Sequence, residues 1–232
     1  MHNEHEHDEH EHEHEHDEHE HDEHEHDEHE LEPGAPGAPS TSDRVAAAMR
    51  AVPRVEFLPP AQRAHAAEDR ALPLWRGSTG SQPSTVAAML RLLDVPRGAT
   101  VLDVGAGSGW TTALLAWLVG PDGEVLGLEL DDEIAAWGAQ NLARFVAQHP
   151  GRVGRARLER AGPGTLGRPR EGGWDRLLVS AAARELPDVL VGMLADPGRL
   201  VLPVRSTMHL VVRADGQVDD STHGSYAFVP LR

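Results

Sequence analysis

The sequence predicts an α/β fold, a mostly parallel sheet flanked by helices and closed by a C-terminal antiparallel hairpin. Three observations carry this reading. From Thr100 onward, short apolar runs alternate with stretches of helical periodicity, the pattern of a parallel sheet with helical crossovers. One of those runs leads directly into a glycine-rich loop that opens a helix. Residues 33–232 are also enough for one such domain with a proper hydrophobic interior.

Residues 1–32 are almost wholly His, Glu and Asp, with no periodic apolar positions, and cannot contribute to a core. Their HEH and HDEH repeats admit three readings: an engineered affinity tag, a natural metal-buffering tail, or a solvated spacer. Imidazoles beside carboxylates bind Ni, Zn or Cu loosely in any of the three. PGAPGAPSTS at 33–42 reads as a linker to a domain at 43–232. From Asp43, the residues Val45, Ala48, Met49 and Val52 recur at helical spacing, with Ser42 or Asp43 as N-cap and Pro53 ending the helix. A short helix is expected at 60–67 and a loop rich in Gly, Ser and Thr at 76–81. Pro83 then opens a helix to Leu93, whose Val86, Met89, Leu90 and Leu93 form an apolar stripe. Strands are expected at 100–104, 124–129, 157–160, 176–180 and 200–204, alternating with helices at 111–119, 132–145 and 187–194. The apolar runs 209–213 and 226–230 are expected to pair as the terminal hairpin.

The net charge of -17 belongs to the tail: residues 1–32 hold 17 of the 38 acidic residues and no base, leaving 21 acids against 21 arginines. The domain is formally neutral, without the clustered basic surface and interleaved aromatics that a phosphate backbone demands, so no nucleic-acid partner is expected. The absence of cysteine excludes disulfides, thiolate metal sites and cysteine nucleophiles. No apolar run approaches the ~20 residues of a membrane span, and the N-terminus lacks the basic and apolar regions of a signal peptide. A cytoplasmic protein without membrane partners is expected. His65, His149, His209 and His223 lack paired ligand spacing, so no metal site is expected in the domain. Trp75, Trp110, Trp117, Trp137 and Trp174 are expected to serve packing rather than a stacking platform.

The strongest chemical signal is VLDVGAGSGW at 101–110, a buried strand running into a glycine loop. Gly105, Gly107 and Gly109 let the backbone turn tightly and approach a ligand, and Asp103, Ala106 and Trp110 adjoin them. A nicotinamide fingerprint would read GxGxxG, with a diphosphate resting on the helix N-terminus. Here the spacing is GxGxG, and Trp110 stands where that third glycine would be. This fits a cofactor without diphosphate, such as S-adenosylmethionine. The next strand, VLGLE, ends at Glu129, about 20 residues on, where an acid can accept hydrogen bonds from both ribose hydroxyls, with Leu130 beside it. The alternative is that Glu129, Asp131 or Asp132 only caps the following helix.

Further motifs lie outside that site. VPRVEFLP at 52–59 is similar to VPRExFVP, Asp69 followed by LPL to DxxLPI, and TGSQP at 79–83 to TISQP. GPGTLG at 162–167 parallels GDGxxG, PGRLVLPV at 197–204 parallels GGRLVxPV, and FVPL closes the chain. In these residues 50–231 resemble the protein-L-isoaspartate O-methyltransferases, a family with a Rossmann-like methyltransferase fold. The resemblance implies that Gly162 and Gly164 lie near the adenine and that the loop of Thr79 and Ser81 covers the transferred methyl group and meets the substrate. It also implies the outcome: methylation of an isoaspartyl carboxylate in a protein or peptide, collapse of the ester to a succinimide, and partial hydrolysis to aspartate. Some relatives instead esterify aspartate in a ribosomally made peptide, and that alternative stays open. So does a reading of another class, a non-catalytic protein that binds cofactor or metal.

The departures from the family pattern are Pro163 for Asp, Ser78 for Gln, Gly80 for Ile and Ala67 for Tyr. The last three are expected on the substrate side. A carboxylate with a pKa near ~4 is ionised at neutral pH, so positioning and not proton removal is the enzyme's task. Ser81 is the candidate to orient the carboxylate, with Thr79 shaping the loop. The alternative is that Ser81 only caps the helix at Pro83.

Overall fold

A computed structural model describes residues 39–75, 77–162 and 164–232. The three readings of the tail, and the departure at Pro163, fall outside the described residues. The unit Ala38–Arg232 carries everything below.

Helix α1 (Thr41–Ala51) starts inside the stretch read as linker, because Ser40 and neither Ser42 nor Asp43 is its N-cap: the Ser40 hydroxyl accepts the Asp43 amide at 3.2 Å. Two 3₁₀ turns follow, at Arg54–Phe57 and Pro60–His65. The expected loop at 76–81 is part of a small hairpin in which β1 (Leu72–Pro73) pairs antiparallel with β2 (Thr79–Gly80). Helix α2 is Pro83–Leu93, with Pro83 at its first turn as expected.

The remaining strands are β3 (Thr100–Val104), β4 (Glu124–Glu129), β5 (Arg155–Arg160), β6 (Trp174–Val179), β7 (Leu194–Val204), β8 (Thr207–Ala214) and β9 (Gln217–Ser225). They form a seven-stranded sheet in the order β5-β4-β3-β6-β7-β8-β9, parallel from β5 to β7 and antiparallel thereafter. Successive side chains alternate between its faces. Val101 and Val125 join α1, α2, α3 (Trp110–Val119) and α4 (Asp132–Gln148) in one core. Leu102, Val104, Leu126 and Leu128 point into a second core with Trp174, Leu190 and Leu200. Helix α3 buries nine of its ten residues, so it fills the first core and not its surface. The second face carries one helical turn, α5 (Asp188–Val191), and irregular chain around Leu166, Leu186 and Leu231. Between β5 and β6, where a crossover helix would lie, the sequence AGPGTLGRPREGG is too rich in Gly and Pro to form one.

Two expected elements differ. The helix at 187–194 shrinks to α5, because the Trp174 amide takes the Met193 carbonyl (2.8 Å) and Leu194 already pairs with Trp174 in the sheet. The hairpin is β8 with β9, not 209–213 with 226–230. Its turn is Asp215-Gly216, both left-handed (φ 52° and 75°), the backbone that a two-residue hairpin needs. β9 is an exposed polar edge strand and lacks apolar alternation. The 226–230 stretch instead lies beside the loop after β6, where Ala182 donates to the Val229 carbonyl and accepts from the Leu231 amide, both at 2.8 Å.

Helix α4 packs on the glycine loop backbone to backbone. A Cβ on Gly109 would lie 2.8 Å from the Gly138 carbonyl oxygen, and a Cβ on Gly138 would collide with the Gly107 carbonyl oxygen. Helix propensity alone makes Gly138→Ala a gain of about 1 kcal/mol. The collision reverses the sign, and denaturant unfolding is expected to show a loss of about 1–3 kcal/mol. A variant more stable than wild type would mean that the loop yields to α4 at no cost.

Candidate active site

A cleft of about 1050 Å³ opens at the C-terminal ends of β3, β4 and β6. From β3 the chain proceeds outward to β4 and β5, then returns to place β6 on the other side, the switch point at which open α/β sheets leave a crevice.

One wall brings together Gly105, Gly107, Glu129, Leu130, Gly162 and Gly164. The Gly105 and Ala106 amides are held by the Leu128 carbonyl at 2.9 and 3.0 Å. Gly107 has φ +53° and donates its amide to Glu129 Oε2 at 2.9 Å. Glu129 Oε1 accepts the Leu130 and Asp131 amides at 2.8 and 3.1 Å. A carboxylate has about four acceptor sites, so three amides leave room for about one ligand hydroxyl. Glu129 does not cap α4: Asp131 does, accepting the Glu133 and Ile134 amides.

Four of the residues singled out at the cofactor loop do not line the main cleft. Asp103 is fully buried, and its Oδ2 accepts the hydroxyls of Thr112 (2.7 Å) and Thr111 (2.8 Å). It thereby ties the end of β3 to the first turn of α3 across the glycine loop, and it does not line the cleft. Burial pushes its carboxyl up to about 6 against the two hydroxyl donors, with the charge of Glu129 adding to the rise, and Oδ1 has no partner among the described residues. The Trp110 indole turns away from the cleft and donates to the Val52 carbonyl at 3.0 Å. Ala106 and Gly109 lie off the cleft as well, Gly109 against α4.

The opposite wall combines the hairpin loop at 77–79, the loop after β6 and the C-terminal residues 229–232. A side pocket of about 30 Å³ adjoins it, lined by Thr79, Ser81, Gly107, Trp110 and Ser180 among others. Ser81 does not cap α2, because Asp69 does so from a distance: Oδ1 accepts the Ser84 amide at 2.9 Å and Oδ2 the Gln82 side chain at 3.0 Å. Those donors, the Ser84 amide first, hold the Asp69 carboxyl below its usual range. Of the departures expected on the substrate side, Ser78 lines the cleft and Gly80 lines the side pocket. Ala67 is exposed elsewhere, and Gly80 faces Leu74 and Leu58.

Arg54 was not singled out by its sequence. It is 7% exposed and donates Nη1 to the Glu68 carbonyl (3.1 Å) and Nη2 to those of Arg70 (2.9 Å), Gly80 (3.1 Å) and Ser81 (2.8 Å), with its guanidinium 5.5 Å from the Trp110 ring centroid. Desolvation lowers its pKa from the usual arginine value. The only sign in the sequence was its place in VPRVEFLP. Gly138 and Ser180 carried no local signal, and the C-terminal residues only the FVPL motif.

An open α/β sheet with a glycine loop at its switch point, an acid at the end of the next strand and a hydroxyl-lined pocket beside them defines a Rossmann-like methyltransferase. The chain belongs to the protein-L-isoaspartate(D-aspartate) O-methyltransferase family, whose model matches residues 37–232. It is 42% identical over 197 residues to the protein-L-isoaspartate O-methyltransferase of Methanopyrus kandleri, covering 82% of this chain and 84% of that one. Its identity to the enzyme of the same name from Aeropyrum pernix is 41% over 196 residues, covering 82% and 73%. Among solved structures, a protein-L-isoaspartate O-methyltransferase aligns with a TM-score of 0.69 at 25% identity, covering 83% of this chain and 62% of that one. A Plasmodium falciparum chain solved with S-adenosyl-L-homocysteine has the same fold, with a TM-score of 0.68 at 24% identity over 82% and 90%.

Asp103 gives this site a pH signature. Its folded-state pKa is raised, so the folded protein holds that proton more tightly than the unfolded chain. The associated stability is fully present below the ordinary Asp pKa and is lost as pH rises through about 6. Relative to Asp103→Asn, wild-type stability is therefore expected to fall by about 2–3 kcal/mol between about pH 4 and pH 7, measured by urea unfolding. A difference that stays constant over that range would mean an unshifted Asp103.

Proposed function

We propose that this chain transfers a methyl group from S-adenosylmethionine to the free carboxylate of isoaspartyl residues in proteins and peptides. The observation that carries the reading is the meeting of Glu129, Gly107 and a pocket of hydroxyl groups at one cleft, in a chain of this family. The residues fit the cofactor. A Cβ on Gly107 would meet nothing nearer than Leu74 Cδ1 at 3.9 Å, so the glycine fronts open space beside the Glu129 carboxylate. In this reading Glu129 receives a ribose hydroxyl, Gly105 and Gly107 bring the backbone against the ligand, and Leu130, Gly162 and Gly164 border the adenine. Asp103 and Gly109 support the loop from behind, and Ala106 and Trp110 adjoin the side pocket.

Bound there, S-adenosylmethionine supplies a methyl group activated by its sulfonium. The substrate carboxylate is ionised at neutral pH, so no residue has to remove a proton. The work of the chain is to hold one carboxylate oxygen in line with the methyl group, a positioning effect worth several kcal/mol by order of magnitude. Ser81 is assigned to orient that carboxylate and Thr79 to shape the loop. The neighbouring backbone amide nitrogen can attack the ester carbonyl, lose its proton and expel methanol, which yields the succinimide. The catalytic domain is assigned to residues 43–232 and an accessory role to 1–32, with a cytoplasmic location.

Unrelated linear peptides containing isoaspartate are expected to gain one methyl by mass spectrometry while their aspartyl counterparts do not. Methylation confined to an aspartyl residue of a constrained peptide would replace repair with peptide tailoring. In calorimetry with S-adenosylhomocysteine, Glu129→Ala is expected to lose about 1–3 kcal/mol of affinity through the missing charge-assisted hydrogen bonds. Affinity close to wild type would place the cofactor elsewhere.

A further inference from the structure

The hydroxyl of Ser180 has no role in the reading above. Ser180 directly follows β6, and its amide is fixed on the Val104 carbonyl at 2.8 Å, at the switch point between β3 and β6. It lines both the main cleft and the side pocket, a position shared with Thr79, Gly105 and Gly107. Its Cβ lies 3.8 Å from where a Cβ on Gly105 would stand, so the glycine leaves that flank of the serine uncovered. Its side-chain oxygen makes no hydrogen bond among the described residues, and the same holds for Ser81 across the pocket. Two serines whose hydroxyls have no partner among the described residues, one at a strand end and one on a loop, thus line the same side pocket.

We propose that Ser180 is a second hydroxyl that holds the substrate carboxylate, opposite Ser81. The proposal rests on carboxyl methyl transfer as the activity of this cleft. A carboxylate has two oxygens, of which one attacks and must keep a lone pair free. Donors from opposite walls can both serve the other oxygen, fixing the plane of the group without blunting the nucleophile. The strand-borne serine supplies the rigid donor and the loop-borne serine the one that arrives with the substrate.

The test compares wild type, Ser180→Ala and Ser180→Thr on an isoaspartyl peptide, with S-adenosylhomocysteine affinity measured on each protein by calorimetry. Loss of one hydrogen bond to an ionised group is expected to lower kcat/KM of Ser180→Ala by about tenfold to a hundredfold. Its S-adenosylhomocysteine affinity should stay within about twofold of wild type, which also reports that the cleft has folded, and Ser180→Thr should recover most of the activity. Ser81→Ala combined with Ser180→Ala should cost less than the product of the single losses, since both act on one group. An unchanged kcat/KM in Ser180→Ala overturns the proposal, as does an equal loss of S-adenosylhomocysteine affinity, which would assign the hydroxyl to the cofactor. A wild-type protein that binds S-adenosylhomocysteine but methylates no isoaspartyl peptide overturns the proposed function together with this one. An active wild type with an unaffected alanine variant overturns Ser180 alone.

Discussion

The wall of the cleft proposed to meet the substrate is organised around one buried cation. The Arg54 guanidinium is withdrawn from water and stays charged by donating to four backbone carbonyls, from Glu68, Arg70, Gly80 and Ser81. None of those carbonyls belongs to a long strand or helix that would satisfy it otherwise. The guanidinium ties the segment before the β1–β2 hairpin to the segment after it, beside the contacts that Asp69 makes to Gln82 and Ser84. A planar fork is suited to this task where the compact ammonium of a lysine is not. The same group lies against Trp110, which opens α3, so the loop bearing Ser81 and the helix that receives the glycine loop share one fixed point.

The cofactor side is held differently, by close backbone contact and by two carboxylates. Gly109 and Gly138 let α4 approach the loop to a distance that no side chain would permit. Glu129 draws the Gly107 amide toward β4, and Asp103 draws Thr111 and Thr112 toward β3. The loop is thus pinned near its middle and just beyond its exit before any ligand arrives. Such preorganisation reduces the ordering that binding must supply. Asp103 acts from behind the loop, so an acid within the glycine motif can hold the loop without lining the cleft.

How much of this could be read from the sequence depended on whether a feature repeats. The buried strands β3 and β4, helices α2 and α3 and the acid closing β4 follow from periodicity and from one glycine motif, and all lie where expected. β9 failed that approach because both its faces meet solvent, leaving the Asp215-Gly216 turn as its only local signal. α5 failed because apolar residues at 189–194 serve a helical turn and then a strand within six positions. Arg54 was hidden for another reason: its partners are carbonyls 14 to 27 residues away, and carbonyls have no residue identity. Ser180 and Gly138 likewise acquire meaning only once β6 lies beside β3 and α4 lies on the loop.

Hydrogen exchange on Arg54→Lys, compared with wild type, tests most directly the claim that a single guanidinium assembles the substrate side. The hairpin amides of Leu74 and Ser78, and the Ser84 amide held by Asp69, should lose protection. The amides of β3 and β4 should keep theirs, because they rest on the sheet. A uniform loss across both regions, or no loss at 74–84, would contradict the account and leave Arg54 as ordinary buried structure.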